Sequence, residues 1–226
     1  ARLMGLTWKN SVAPAAGCPP TVGTMTDLEI RTVPDGELDR MLDLADLVFH
    51  HRTEDENRDR DLWMPRRSER IGAYEGGTLV GQLAAMPMRL AVPGALPECS
   101  AITWVGVLPT HRRRGVLTAM IERMHADAVA ARRPVAALWA SQAGIYGRYG
   151  FGLANRSLTL EVDSSRPLAL RVEPDPRPLR LISRDRAAEV LGPIHTRALG
   201  RRPGGLVRDA EWWEKAGPLL AEVVDA

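Results

Sequence analysis

A chain of 226 residues with an apolar fraction of 45% has room for one large domain, or a medium domain and a smaller piece, and enough apolar side chains for a real core. Thirty Lys and Arg stand against 28 Asp and Glu, a formal charge of +2, so the bulk balance carries no nucleic-acid signature and any partner must be read from local clusters. No stretch approaches the roughly 18 apolar residues of a membrane helix, and Cys18 and Cys99 form neither a disulfide framework nor a metal quartet. The expectation is a protein of the reducing cytoplasm, without a membrane partner and without a metal.

Ala15-Ala16-Gly17-Cys18 has the outline of a lipoprotein cleavage site, but Lys9 and Asn10 interrupt the apolar core it would need. Residues 1–24 are therefore expected to be a disordered extension, with Met25 as an alternative start ahead of the strand-like Leu28-Glu29-Ile30-Arg31. Leu38, Met41, Leu42, Ala45, Val48 and Phe49 recur at helical spacing after the turn Pro34-Asp35-Gly36 and predict a helix over 38–49. The charged run Arg52–Asp61 reads as a solvated loop or helix face, and Trp63 returns the chain to apolar surroundings. Arg70–Tyr74 and Leu79–Leu90 flank Glu75-Gly76-Gly77, a strong hairpin signal.

Ala101–Val107 suits a central strand, closed by Leu108-Pro109-Thr110. Val116, Leu117, Met120, Ile121, Met124 and Ala128 line one stripe of the clearest helix, 116–129. Val135–Ala140 and Leu158–Val162 read as further buried strands, the latter after the Gly-rich turn Tyr149–Gly152. Pro167, Pro174, Pro176 and Pro178 make 166–178 a stiff linker between a first domain, 25–165, and a remainder, 179–226. In that remainder Leu179–Ile182, a helix over Arg186–Leu199 and Trp212-Trp213 repeat the plan of residues 28–63. A weak internal repeat of this kind implies a second, incomplete copy of the same fold.

The chemistry concentrates in Val105-Gly106-Val107-Leu108-Pro109-Thr110-His111-Arg112-Arg113-Arg114-Gly115-Val116-Leu117. A strand end, basic residues and a glycine stand directly before a helix, whose first N–H groups lack internal partners and whose dipole is positive there. Arg112 and Arg113 add charge-assisted contacts to a phosphate, and Gly115 removes the side chain that would keep a diphosphate away. No Gly-Lys-Ser/Thr follows and the three-glycine dinucleotide pattern is absent, so this is neither a P-loop nor a Rossmann fingerprint. Taken alone, an Arg-Arg-Arg run is more often a solvated surface patch than a ligand site.

The surrounding residues resemble the acetyl-coenzyme A motif of the GNAT superfamily: Arg112, Gly115 and Leu117 occupy its Arg/Gln, Gly and Gly/Ala places. Leu117 departs from the general pattern but matches the version in the Eis (enhanced intracellular survival) family, whose signature Thr110–Gly115 resembles almost letter for letter. A second match to that family is Ala140-Ser141-Gln142-Ala143-Gly144-Ile145-Tyr146-Gly147-Arg148-Tyr149-Gly150-Phe151-Gly152.

The resemblance implies an α/β (α+β) GNAT fold, a mixed central sheet flanked by helices, followed by a truncated second GNAT-like unit. It implies an N-acetyltransferase moving an acetyl group from acetyl-CoA directly to a primary amine of an aminoglycoside, a polyamine or a lysine side chain. Val105 and Val107 would offer backbone groups to the pantetheine arm, Arg112, Arg113, Gly115 and Val116 would hold the diphosphate, and Ser141 would lie beside the cofactor. Tyr146 would protonate the departing thiolate as general acid, since a phenol titrates near 10 and an ordinary thiol lower; a packed core tyrosine is the competing reading. Trp104, Glu54 and Trp63 are the candidate acceptor contacts, with core packing an equal reading for Trp104.

Eis-like enzymes place their base on the carboxylate ending a longer chain, so the local candidates are His50, His51, Glu54, Asp55 and Glu56. Homo-oligomers of hexameric type are also implied. Two rival readings stand: a CoA-binding homologue that is catalytically incomplete and serves as a structural or regulatory subunit, and a nucleic-acid module on Arg112–Arg114. The second lacks interleaved aromatics and a reading motif, so no nucleic-acid partner is expected.

Overall fold

In a computed structural model of the chain, the residues described are 28–154, 165, 173, 180–181, 186–201, 203–215 and 224–225. The extension 1–24, the strand expected over Leu158–Val162 and, apart from Glu173, the linker 166–178 lie outside them. Two compact units divide the chain after Gly152.

The first unit is built on a sheet of five strands: β1 (Leu28–Thr32), β2 (Glu69–Glu75), β3 (Thr78–Arg89), β4 (Glu98–Val107) and β5 (Val135–Leu138). They lie side by side in chain order. The first four pair antiparallel and β5 runs parallel to β4, the mixed sheet that the sequence implies. Helix α1 (Leu38–Phe49) follows β1, and the charged run coils into two four-residue helices, α2 (Arg58–Asp61) and α3 (Trp63–Arg66). Helix α4 (Val116–Ala130) connects β4 to β5. The β2–β3 hairpin turns on Gly76 and Gly77, with φ of 56° and 76°, a two-residue turn that needs positive φ at both positions.

Two apolar layers cover the sheet. Ile71, Ala73, Val80 and Ile102 pack with Val116, Met120, Ile121 and Met124 of α4. Val33, Tyr74 and Leu79 pack with Leu38, Met41, Leu42 and Leu44 of α1. The helices sit close because glycines face them: a Cβ on Gly81 would lie 2.8 Å from Val116 Cγ1, and one on Gly106 would lie 3.2 Å from Leu44 Cδ2. Phe49, counted in the α1 stripe from sequence, is 49% exposed, because the helix stops there and His50 turns left-handed at φ 53°. Gln82 pairs across the sheet with Gly72 and Gly106. It is fully buried, and neither atom of its amide meets a hydrogen-bond partner among the described residues.

The second unit contains α5 (Ala187–Leu199), α6 (Ala210–Lys215) and two-residue strands β6 (Arg180–Leu181) and β7 (Val224–Asp225), paired antiparallel. Trp213 is buried, His195 Nε2 lies 2.9 Å from the Leu206 carbonyl oxygen, and the Arg208 guanidinium stacks 4.0 Å from the Trp212 ring centre. His195 thus has a packing role, and so does His125, which stacks on Phe151 at 6.0 Å.

Candidate active site at the carboxyl ends of β4 and β5

Parallel neighbours deliver the loops that follow them to one end of the sheet. Here those loops are 108–115, after β4, and 139–151, after β5. The two strands pair from Cys99↔Val135 to Ile102↔Leu138 and no further. Beyond Ile102, β4 runs on for five residues with no ladder partner on that side, so the backbone groups of 103–107 that do not bond β3 have no strand opposite them. A β-bulge is the cause of the separation: Gln82 pairs with Gly106 but Ala84 pairs with Thr103, so β4 carries one extra residue. Trp104 takes it up with a left-handed φ of 56°, a conformation that bulges create and that increases local twist. Val105 and Val107 lie on this unpaired stretch, their side chains against the α4 layer. The Trp104 side chain packs instead against the α1 layer.

The loop after β4 ends at Gly115, φ 84°, which starts α4 without any side-chain cap. The first turn's N–H groups, including that of Val116, therefore lack intrahelical partners and meet no side-chain cap among the described residues, where the macrodipole is positive. Val116 itself is 2% exposed, its side chain packed in the α4 layer, whereas Gly115 before it is exposed. Arg112 and Arg113 are both exposed. Arg112 Nε donates to the Val107 carbonyl oxygen at 3.3 Å, while Arg113 sits at φ 62°, a conformation costing a non-glycine residue about 1–2 kcal/mol. Arg114 is differently engaged: it pairs with Glu75, whose Oε2 lies 2.8 Å from His111 Nε2. The Arg114 and His111 hydrogen bonds hold the Glu75 carboxyl below its ordinary range.

Ser141 is exposed in the loop after β5, where two short 3-10 turns follow, Ala143–Ile145 and Gly147–Tyr149, with Tyr146 between them and Tyr149 ending the second. The loop is fixed along α4, because the Tyr149 hydroxyl lies 3.0 Å from Thr118 Oγ1 and Phe151 packs into the α4 layer. Tyr146 is 8% exposed, edge-on to Phe151 at 5.8 Å. Burial, and secondarily Tyr149, pushes its phenol above the ordinary value, and no described residue hydrogen-bonds its hydroxyl. The structure thus brings Val105, Val107, Arg112, Arg113, Gly115, Val116, Ser141 and Tyr146 to one end of the sheet.

Glu54 and Trp63 belong to the segment after α1, whose carboxyl half lies over Gly106 through Leu44 and Val48. Glu54 is exposed, whereas Trp63 is 6% exposed with the Arg67 guanidinium 5.5 Å from its ring centre. Asp46, which the sequence reading passed over, organises this segment. It accepts the Thr53 amide at 2.8 Å and the Thr53 hydroxyl at 2.9 Å, and lies 3.2 Å from His51 Nδ1. Partial burial alone would raise its carboxyl, but those hydrogen bonds outweigh it and hold the pKa low. Also unforeseen is Trp139, 76% exposed at the start of the loop after β5. Among the described residues no three His, Cys, Asp or Glu side chains gather as a metal site, and no helix is long and apolar enough to cross a membrane.

The frame of the site is a mixed sheet that opens between two parallel strands beside an uncapped helix start. The acetyltransferase (GNAT) domain family matches residues 29–154, and the chain belongs to that family. Within it the sequence is similar to the N-acetyltransferase Eis of Mycobacterium bovis, 39% identical over 161 residues, which cover 68% of this chain and 39% of that protein. It is similar also to an uncharacterized N-acetyltransferase of Streptomyces avermitilis, 38% identical over 160 residues, with 68% and 39% covered. Among solved structures, Eis1 from Mycobacterium abscessus superposes with a TM-score of 0.64 at 28% identity, covering 88% of this chain and 50% of that one. The chain thus spans about two fifths of the length of these curated relatives.

Proposed function

We propose that the first unit transfers an acetyl group from acetyl-CoA to a primary amine. The observation that carries this reading is the alignment, at one end of the sheet, of the unpaired β4 edge with the uncapped start of α4. The edge suits an extended amide-bearing arm and the helix start suits a diphosphate. Arg112 and Arg113 would add two guanidinium groups to the α4 amides, Val105 and Val107 would hydrogen-bond the pantetheine through their backbones, and Ser141 would flank it. Bound there, acetyl-CoA supplies the thioester. The amine nitrogen forms the new N–C bond as the C–S bond breaks, and Tyr146, its phenol kept protonated by burial, gives its proton to the sulfur.

The amine's own proton passes to a base on the acceptor side. His50, His51, Glu54, Asp55 and Glu56 are the local groups for this, and of these His51 is oriented by Asp46. Trp104 and Trp63 would form walls of the acceptor pocket, and aminoglycosides, polyamines and lysine-like amines are the acceptors that the family resemblance favours. Residues 179–226 would begin a second unit of the same fold, and the assembly would be a homo-oligomer.

Free-thiol release from acetyl-CoA, followed across a panel of polyamines, aminoglycosides and lysine peptides, tests the reading. Amine-dependent release with at least one acceptor is expected. Stabilisation by CoA without release would make the chain a binding module; absence of CoA binding would overturn the assignment.

A further inference from the structure

Of the four consecutive basic residues His111–Arg114, two face a single carboxylate from a distant part of the chain. Glu75 ends β2, immediately before the Gly76-Gly77 turn. One oxygen lies 2.8 Å from His111 Nε2, and the Arg114 guanidinium grips both oxygens. The other ring nitrogen of His111 is 2.8 Å from the Thr110 hydroxyl, so the imidazole is held from both sides and is only 16% exposed. The loop is anchored at its start too, where the Leu108 amide donates to the Val80 carbonyl at 2.9 Å and the His111 amide to the Leu108 carbonyl at 2.8 Å.

Arg112 and Arg113 are the residues between these two tethers, and both are exposed. With His111 and Arg114 held on one side, the left-handed turn at Arg113 and the second one at Gly115 carry the chain into α4 with its amides outward. We propose that Glu75 is a positioning residue for the diphosphate of the donor: it ties the loop 110–114 to the β2–β3 hairpin and so presets Arg112, Arg113 and the α4 amides. The inference rests on reading this loop as the diphosphate site, and it divides the basic run into two groups that bind and two that hold the loop in shape.

Electrostatics alone gives the opposite sign, which makes the test sharp. Replacing Glu75 by Gln deletes a negative charge beside an anion site and frees Arg114, so a purely coulombic role predicts tighter CoA binding. Positioning predicts weaker binding. Glu75→Asp keeps the charge and shortens the reach by one methylene, so coulombic effects predict no change there and positioning predicts weakening.

Calorimetric Kd values for CoA, and for pantetheine, which lacks the diphosphate, are the readout. The expected result is a Kd for CoA raised about tenfold or more in both variants, with pantetheine unchanged, and a KM for acetyl-CoA that rises while kcat holds. Unchanged or tighter CoA binding in Glu75→Gln overturns the proposal. Should that variant fail to fold by circular dichroism, Glu75→Asp carries the test alone, and unaltered CoA affinity there overturns it. If the unmodified protein itself does not prefer CoA to pantetheine, it is the diphosphate reading that has failed.

Discussion

Tyr146 and Tyr149 stand three residues apart in one loop and differ in what their hydroxyls meet. That of Tyr149 is held by Thr118 at 3.0 Å, whereas that of Tyr146 has no hydrogen bond to a described residue although its ring is buried. A hydroxyl whose ring is packed but whose donor is uncommitted can act on a ligand. Tyr146→Phe is therefore expected to lower kcat by about a hundredfold or more, the scale of a lost general acid, with the Kd for CoA unchanged. Tyr149→Phe should cost about 1 kcal/mol of stability and leave kcat close to that of the parent; parallel losses of kcat in both variants would remove the distinction. The motif around Tyr146 is legible in sequence because it is local. Glu75 is not, since nothing in Glu-Gly-Gly announces partners 36 and 39 residues ahead, and the buried amide of Gln82 appears only once strand register sets it between two glycines.

Among the elements, the ones with strong periodicity are legible almost to the residue: α1 spans Leu38–Phe49 as read, and α4 ends at Ala130 rather than Val129. Strand β5 is shorter than Val135–Ala140 implies, stopping at Leu138, because the bulge at Trp104 turns its partner away, and a bulge depends on pairing that one strand's sequence does not contain. What fixes α1 to the sheet is a polar anchor beside its apolar layer. The Tyr74 hydroxyl donates to Glu37 Oε2 at 2.7 Å, Arg31 bonds the other oxygen at 3.2 Å, and the Arg31 guanidinium lies 3.5 Å above the Tyr74 ring. Burial first, and the bond to Glu37 second, push the Tyr74 phenol up to about 12. A folded-state value above the unfolded one, near 10, means the folded protein holds that proton more tightly. The resulting stabilisation is complete below pH 10 and is lost as pH climbs from 10 towards 12. Tyr74→Phe should cost about 2 kcal/mol at neutral pH and flatten this alkaline limb. Urea midpoints measured from pH 8 to 12 would show it; an equally steep limb in the variant would assign the loss to other groups.

For the molecule as a whole, the near-neutral balance of 30 basic and 28 acidic residues conceals a local field, because two exposed arginines, Arg112 and Arg113, immediately precede the positive start of α4 in the chain. A ligand bound only by the folded state adds RT ln(1 + [L]/Kd) to global stability, about 2.7 kcal/mol at a hundredfold excess over Kd. For a domain of this size that corresponds to a rise in Tm of roughly 5–15 °C. CoA should produce such a shift and pantetheine a much smaller one at equal concentration, because in the proposed reading the diphosphate is the part that meets the charges. Salt separates the contributions further. The Debye length falls from about 10 Å at 0.1 M to about 3 Å at 1 M, so the Tm increment given by CoA should shrink across that range while the Tm of the free protein moves less. A scanning-fluorimetry series in both ligands and at both salt levels measures all four quantities. Equal shifts from CoA and pantetheine, or a CoA shift indifferent to salt, would mean that the arginines and the open helix end are not what the donor's phosphates meet.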